Sequence, residues 1–506
     1  MSDATADPVE QLSDVERHVE SWRRRVGLFA APVMFFGMLA LPMPSLEPAA
    51  HRLAAIMSTV ILLWITEAVP MPVTSLAGVA ACVLLGVGEA KAVFAPFAEP
   101  LIFLFIGSFM LARAIFLHRL DRRLAFGVLS LRWVGGRPSR ILFVFGAVTA
   151  FISAWISNTA TTAMMFAIGM SILGFLLSNE RAGGSPINRR YATGIMLMTS
   201  FSASIGGLAT PIGTPPNVIG LGFIRQELGV EFPFFKWTMI GVPVVVCLFL
   251  FLFVYLNFFC RAGVAEIAGS HELLERERAS LGPWTTGQKS TAAAFLVTVA
   301  LWVVPGLFGL IAGDSSTSYR QISKLMPEGV AAIFGAVLLF LLPGDRGKRA
   351  LAWHQAVEID WGVILLYGGG LALGSLASQT GLADAVGHRL AEFLPNHSDL
   401  GLLIAATLIA TLVSEATSNT ASATIVTLLA IKIARDAGVD PLEPALGATM
   451  GASLGFMLPV STPCNAIVYG SGYVPITRMI RYGLLLDVAG VVVIVTMVKL
   501  LVPLLR

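Results

Sequence analysis

Charge is what this chain is poorest in. Only 13% of its 506 residues are Asp, Glu, Lys or Arg, against about 25% in a soluble domain, while 56% are hydrophobic. So few charges cannot cover a water-facing surface, which makes the chain an integral membrane protein. Cysteine is scarce as well. Cys82, Cys247, Cys260 and Cys464 stand far apart in or beside apolar runs, without the spacing of a disulfide framework or a metal site. The seven histidines fall mostly in loops, again without ligand spacing. H-E-x-x-H is missing, so intramembrane zinc-protease chemistry has no support, and the lack of a Walker-type loop disfavours an ATP-driven pump. The expectation is a protein that is not an enzyme and carries no organic cofactor. The net charge of +3 gives no case for a nucleic-acid partner, because the Lys and Arg residues lie mostly in connecting loops.

What the chain does have is apolar length. Runs of ~17–25 residues recur, enough to span a bilayer as helix, and nothing alternates as the strands of a β-barrel would. Eleven spans are expected, at 26–44, 51–68, 74–90, 101–119, 191–225 (broken), 238–260, 290–312, 327–343, 361–378, 444–470 (broken) and 482–503. Two further stretches, 140–178 and 400–434, have the length for two half-crossings each and are read as re-entrant hairpins. Residues 1–25 are polar, end in Arg23-Arg24-Arg25 and lack a cleavage site, so they read as a retained cytosolic tail. The charged segment 261–289 is read as a solvated cytosolic linker in preference to a surface helix. It divides a first half, 26–260, from a second, 290–506.

Each hairpin stretch carries Ser-Asn-Thr near its middle, as Ser157-Asn158-Thr159 and Ser418-Asn419-Thr420. Each is followed by a second polar signature, Gly213-Thr-Pro-Pro-Asn217 and Ser461-Thr-Pro-Cys-Asn465. The two Ser-Asn-Thr asparagines are 261 positions apart, and Asn217 and Asn465 are 248 apart. Two signatures in one order at nearly one offset mean two copies of one unit. With the N-terminus inside, the inside segments gather Arg119, Arg122, Arg123, Arg132, Arg137, Arg261, Arg276, Arg346, Arg478 and Arg481 among others, and the outside segments are left with few. That bias puts the first hairpin in from the cytosol, the second from outside, and the C-terminus outside. The halves are then inverted repeats, a transporter architecture with its site near the midplane.

An unwound hairpin tip at that depth needs partners for its backbone. Ser, Asn and Thr supply donors and acceptors without charge. Helix N-termini suit carboxylate oxygens, and freed carbonyls suit a hard cation such as Na⁺. No Arg or Lys adjoins either tripeptide, so bound cations would supply the charge that compensates an anion. Polar glue between helices is the bland alternative, and the doubling of the motif stands against it. Proline after a polar residue stops each broken helix, and Gly206-Gly207 and Gly455 are expected to loosen the approaches.

These motifs, with Trp64-Ile-Thr-Glu-Ala-Val-Pro70 and Leu281-Gly-Pro-Trp284, resemble the divalent anion/sodium symporter family over nearly the whole chain. The resemblance implies an elevator-type homodimer in which a transport domain, with both hairpins and both broken helices, slides against a scaffold. It implies succinate, malate, fumarate or citrate carried with several Na⁺; some members exchange dicarboxylates without Na⁺ and others carry sulfate. By matching positions it places one Na⁺ at Ser153, Ser157, Asn158 and the backbone of Gly213, and its counterpart at Ser414, Thr417, Asn419 and the backbone of Ser461. Substrate carboxylates would meet Ser157, Asn158 and Thr159 at one end and Ser418, Asn419 and Thr420 at the other, flanked by Thr214-Pro215 and Thr462-Pro463. Thr420 resembles the dicarboxylate-selective members. Cys464 departs from the family's second proline, which is expected to loosen the second break or alter cation coupling.

Glu415, Arg113 and Glu67 are ionisable residues in or near the spans. Glu415, inside the second hairpin, is read as a paired structural acid, with proton coupling as the alternative. Arg113 is read as snorkelling, and Glu67 as structural. The leading reading is Na⁺-coupled symport of C4-dicarboxylates into the cytosol. Exchange without Na⁺, or citrate or sulfate transport on the same fold, remains open. A channel or a membrane-embedded enzyme is of a different class and lacks its polar path or its catalytic constellation.

Overall fold

The computed structural model describes residues 14–181, 188–267, 269–312, 316–391 and 398–505. Among them the chain is helical and free of named strands, as the apolar runs require. In order come α1 (Asp14–Ala40), α2 (Pro48–Thr66), α3 (Met71–Leu84), the short α4 (Ala90–Phe94), α5 (Pro100–Leu117) and α6 (Leu120–Leu129). Then follow α7 (Pro138–Ser153), α8 (Asn158–Arg181), α9 (Arg189–Gly206), α10 (Pro215–Leu228) and α11 (Phe234–Phe259). Next are α12 (Ser270–Ser280), α13 (Thr286–Ala312), α14 (Thr317–Leu325), α15 (Glu328–Leu341), α16 (Trp353–Ala356), α17 (Trp361–Gln379) and α18 (Leu382–Ala391). The chain ends with α19 (Asp399–Ala416), α20 (Asn419–Asp436), α21 (Leu442–Gly451), α22 (Pro463–Tyr469) and α23 (Ile476–Leu501). Among the described residues eight helices are long and apolar enough to cross a membrane, with α3, α7 and α15 shorter but apolar. A helix or helix pair stands at each of the eleven expected spans, and both Ser-Asn-Thr stretches are helix–break–helix pairs.

Proline punctuates this order by opening helices where its missing N–H costs nothing. Pro48, Pro100, Pro138, Pro215 and Pro463 each occupy the first position of theirs. The order helix pair, broken helix, long apolar helix occurs twice, as α7–α11 and α19–α23. The helices sort into two packing groups. α1, α2, α3, α5, α13, α15 and α17 pack among themselves, and α7–α11 with α19–α23 form the other. Contacts of α10 with α17, of α11 with α13 and of α18 with α20 join them.

The 261–289 segment is not a solvated linker throughout. α12 is an amphipathic helix laid against α6, with Leu274 buried at 2% exposure and its charged residues outward. Burying that one leucine sets the helix against α6 despite the segment's overall polarity. Arg113 also does more than snorkel, since it is ion-paired with Glu358. Glu67 is paired with Arg23 at 3.0 Å.

Candidate functional site

Each Ser-Asn-Thr lies where one helix stops and the next begins. α7 ends at Ser153, four residues unwind, and α8 starts at Asn158. α19 ends at Ala416, Thr417 swings to φ −134, ψ −149, and α20 starts at Asn419 with Ser418 Oγ capping Ala421 N at 3.2 Å. Both asparagines meet the serine five residues before them. Ser153 Oγ lies 2.7 Å from the Asn158 amide, and Ser414 Oγ donates to Asn419 Oδ1 at 2.8 Å.

The downstream breaks are held open by the last residue of each Thr-Pro-x-Asn. Between α9 and α10 the backbone unwinds, and Asn217 Nδ2 donates to the carbonyls of Gly207 and Thr210, both at 2.8 Å. Between α21 and α22, Asn465 Nδ2 donates to those of Gly455 and Leu458, both at 2.9 Å. Every partner is shifted by the same 248 positions. Freed carbonyls inside an apolar protein must be paired, and one asparagine per break does it. Both side chains are fully buried.

The glycines serve close approach, with no positive φ at these positions. A Cβ on Gly207 would stand 2.5 Å from Asn158 Oδ1, and one on Gly206 would strike the backbone of Ala150. A Cβ on Gly455 would stand 3.2 Å from Asn419 Oδ1, 3.3 Å from Ser414 Oγ and 3.6 Å from Ser461 Cβ. Gly455 therefore marks where Ser414, Asn419 and Ser461 come together. On the first side, turning the Asn158 amide so that its NH₂ faces inward brings that nitrogen to Ser153 Oγ (2.7 Å), Ala203 O (3.1 Å) and Gly213 O (3.3 Å). Ser153, Asn158 and Gly213 thus share one oxygen-lined pocket. A hard cation there would let Asn158 present its oxygen instead, which fits Na⁺.

The two halves exchange partners. α8 packs on α22 and α10 packs on α20, so the second helix of each hairpin lies against the second part of the other half's broken helix. Ser157, Thr159 and Pro463 are exposed, and Asn158, Pro215, Ser418, Asn419 and Thr420 are half-buried. Thr462 caps α22 by accepting from Asn465 N at 3.2 Å, whereas Thr214 makes no side-chain cap. Thr417 donates its hydroxyl hydrogen to Val413 O at 2.7 Å, which leaves its hydroxyl oxygen lone pairs and its carbonyl as acceptors. The starts of α8 and α20 add free N–H groups and partial positive charge.

Cys464 does not loosen the second break, because α22 still begins at Pro463 under the Thr462 cap. Its thiol is buried against Thr159, Thr162 and Ser204, which ties the second break to the first tripeptide. Glu415 is paired, as expected, through Met457 N at 2.8 Å and Ser461 Oγ at 2.6 Å. Reading the sequence missed its neighbour Asp487, and Ser200, whose hydroxyl reaches Asn465 Oδ1 at 2.6 Å. An acid within the last span was the available signal for the first. Ser200 carried none.

Comparison with known proteins shows the family. Residues 22–505 match the family model described as the sodium:sulfate symporter transmembrane region. A protein of Staphylococcus saprophyticus named sodium-dependent dicarboxylate transporter SdcS is 33% identical over 487 residues, covering 94% of this chain and 91% of that one. The protein of the same name in Staphylococcus aureus is 31% identical over 484 residues, with the same coverage. Two solved transporters share the fold at 12% identity. They are YdaH of Alcanivorax borkumensis, with TM-score 0.53 over 96% of this chain and 98% of that one, and MtrF of Neisseria gonorrhoeae, with TM-score 0.54 over 91% and 95%. With its doubled asparagine pockets and a match that runs almost from end to end, this chain belongs to the sodium:sulfate symporter family, the divalent anion/sodium symporters, as a multi-pass membrane transporter.

Proposed function

We propose that the chain is a secondary active transporter that carries C4-dicarboxylates such as succinate, malate and fumarate into the cytosol, coupled to Na⁺. The observation that carries this reading is the matched pair of Ser–Asn contacts, 2.7 and 2.8 Å, each beside an unwound, carbonyl-rich break. The relatives' name, sodium-dependent dicarboxylate transporter, supports the same substrate class and ion.

The division of labour follows from the chemistry of the groups. Ser153, Ser157, Asn158 and the Gly213 carbonyl hold one Na⁺; Ser414, Thr417, Asn419 and the Ser461 carbonyl hold the other. The substrate spans the two tripeptides, its carboxylates taken by Asn158-Thr159 and Asn419-Thr420 and flanked by Thr214-Pro215 and Thr462-Pro463. A dianion at a site built from neutral side chains needs its charge balanced, and the two Na⁺ provide that, so substrate affinity falls steeply without them. The group α7–α11 with α19–α23 moves as a transport domain against the other packing group, in an elevator stroke. The halves lie inverted in the plasma membrane, with the N-terminus cytosolic and the C-terminus outside, and two chains pair as a homodimer.

Substrate-induced thermal stabilisation of the purified protein tests the coupling. Succinate should raise the melting temperature in NaCl and leave it unchanged in choline chloride; an equal rise in both salts would contradict the Na⁺ requirement and favour an exchanger.

A further inference from the structure

Glu415 and Asp487 form a buried acid pair that the two sodium pockets do not use. Glu415 lies at the end of α19 and Asp487 near the middle of α23, and each is 4% exposed. The Asp487 carboxylate faces that of Glu415 and the backbone of Phe456, yet neither of its oxygens has a donor at hydrogen-bonding geometry. Glu415 spends its own oxygens on Met457 N and Ser461 Oγ. No Lys or Arg is paired with either acid among the described ion pairs. Lys432 is engaged by Glu227 and Asp384, and Lys499 by Glu443. The other titratable group close to Asp487 is Tyr255, whose hydroxyl is bonded to Tyr482 O at 3.2 Å.

The first half lacks this pair. Ser153 and Asn158 correspond to Ser414 and Asn419, so Ala154 stands where Glu415 does. Gly241 abuts the Leu208 carbonyl as Gly483 abuts that of Phe456, so Val245 stands where Asp487 does. The first break has the same asparagine hydrogen bonding with two apolar residues at these positions, so the acids are not needed to shape the break. Two buried carboxylates in contact, with two oxygens unsatisfied and no cation paired to them, call for a positive ligand. Their donors are all hard oxygens, which suit Na⁺ and not a softer metal.

We propose that Glu415, Asp487 and Ser461 Oγ form a further Na⁺ site, adjoining the pocket at Asn419 and present only in the second half. This inference rests on the Na⁺-coupled reading above and adds a coupling ion to it. A cation there would also draw α23 onto α19 and so link the last helix to the second hairpin.

The test is the Na⁺:succinate stoichiometry in proteoliposomes, from the membrane potential that nulls net succinate flux at a set Na⁺ gradient, with internal pH followed by a trapped dye. Na⁺-independent uptake by the unmodified protein would refute the coupling reading itself. Where that protein is Na⁺-coupled, Asp487→Asn and Glu415→Gln should each carry about one Na⁺ fewer per succinate. An unchanged stoichiometry in both variants would overturn the inference. So would an inward proton flux in the unmodified protein that the variants lose, because the pair would then hold a proton. The double variant Glu415→Ala/Asp487→Val, which copies the first half, gives the same readout should a single variant fail to fold.

Discussion

Ser200 on α9 donates a 2.6 Å hydrogen bond to Asn465 Oδ1 at the start of α22, so a residue of the first half completes the asparagine that holds open the break of the second. The relation is not returned. The position matching Ser200 is Ala448, and Asn217 Oδ1 is buried without a partner. Removing the bond leaves a second buried amide oxygen orphaned, which costs about 1–3 kcal/mol. Ser200→Ala should therefore lower the melting temperature of the purified protein, and an unchanged melt would show that the contact contributes nothing.

Gly207→Ala and Gly455→Ala should differ in severity. A methyl at 207 falls 2.5 Å from Asn158 Oδ1, and one at 455 falls 3.2 Å from Asn419 Oδ1. Displacing a ligating side chain by ~1 Å costs on the order of 10²-fold, so Gly207→Ala should abolish succinate uptake and Gly455→Ala only weaken it. The reverse order, read in initial rates, would break the argument from close approach.

Asn158→Ala and Asn419→Ala each remove an oxygen proposed to serve both Na⁺ and substrate. Both should lose uptake while keeping the size-exclusion profile of the unmodified protein. Normal uptake by both variants would remove the two pockets from the mechanism.

Lys432 and Glu227 form a 2.8 Å ion pair with both side chains 4% exposed, joining α20 to α10. Deleting one partner strands a buried charge and costs about 3–5 kcal/mol, whereas replacing both by apolar residues of similar size is close to neutral. Lys432→Met should destabilise strongly, and Lys432→Met with Glu227→Leu should recover most of the loss. A double variant as unstable as the single would mean that other partners, such as Ser378 Oγ on Glu227 at 2.7 Å, dominate.

Asp121, in the first turn of α6, is pushed by burial from 3.8 up to about 6, against the pull of the Arg122 N–H and charge. A carboxyl raised on folding is best tolerated protonated. Stability is therefore full below about pH 3.8 and declines as pH rises to about 6, by on the order of 2–3 kcal/mol. Asp121→Asn should melt higher than the unmodified protein at pH 8 and alike at pH 4. An equal melt at pH 8 would contradict the burial argument.

The parts of this architecture that repeat were legible in the sequence. Ser157-Asn158-Thr159 and Ser418-Asn419-Thr420 announced two helix breaks because polar residues inside apolar runs have few other uses, and the offset of 248 between Asn217 and Asn465 reappears as identical hydrogen bonding. What joins distant segments was not legible. Glu415 and Asp487 are 72 positions apart and Glu227 and Lys432 are 205 apart, and no spacing rule pairs them before the helices are packed. The signal for α12 was outweighed by its own charges, since a single buried leucine, Leu274, seats it.

The most direct measurement is uptake of radiolabelled succinate into proteoliposomes under an inward Na⁺ gradient and under an equimolar choline gradient. The account predicts accumulation with Na⁺ alone. Equal uptake in both, rising when succinate is preloaded inside, would contradict it and make the same pocket that of an exchanger.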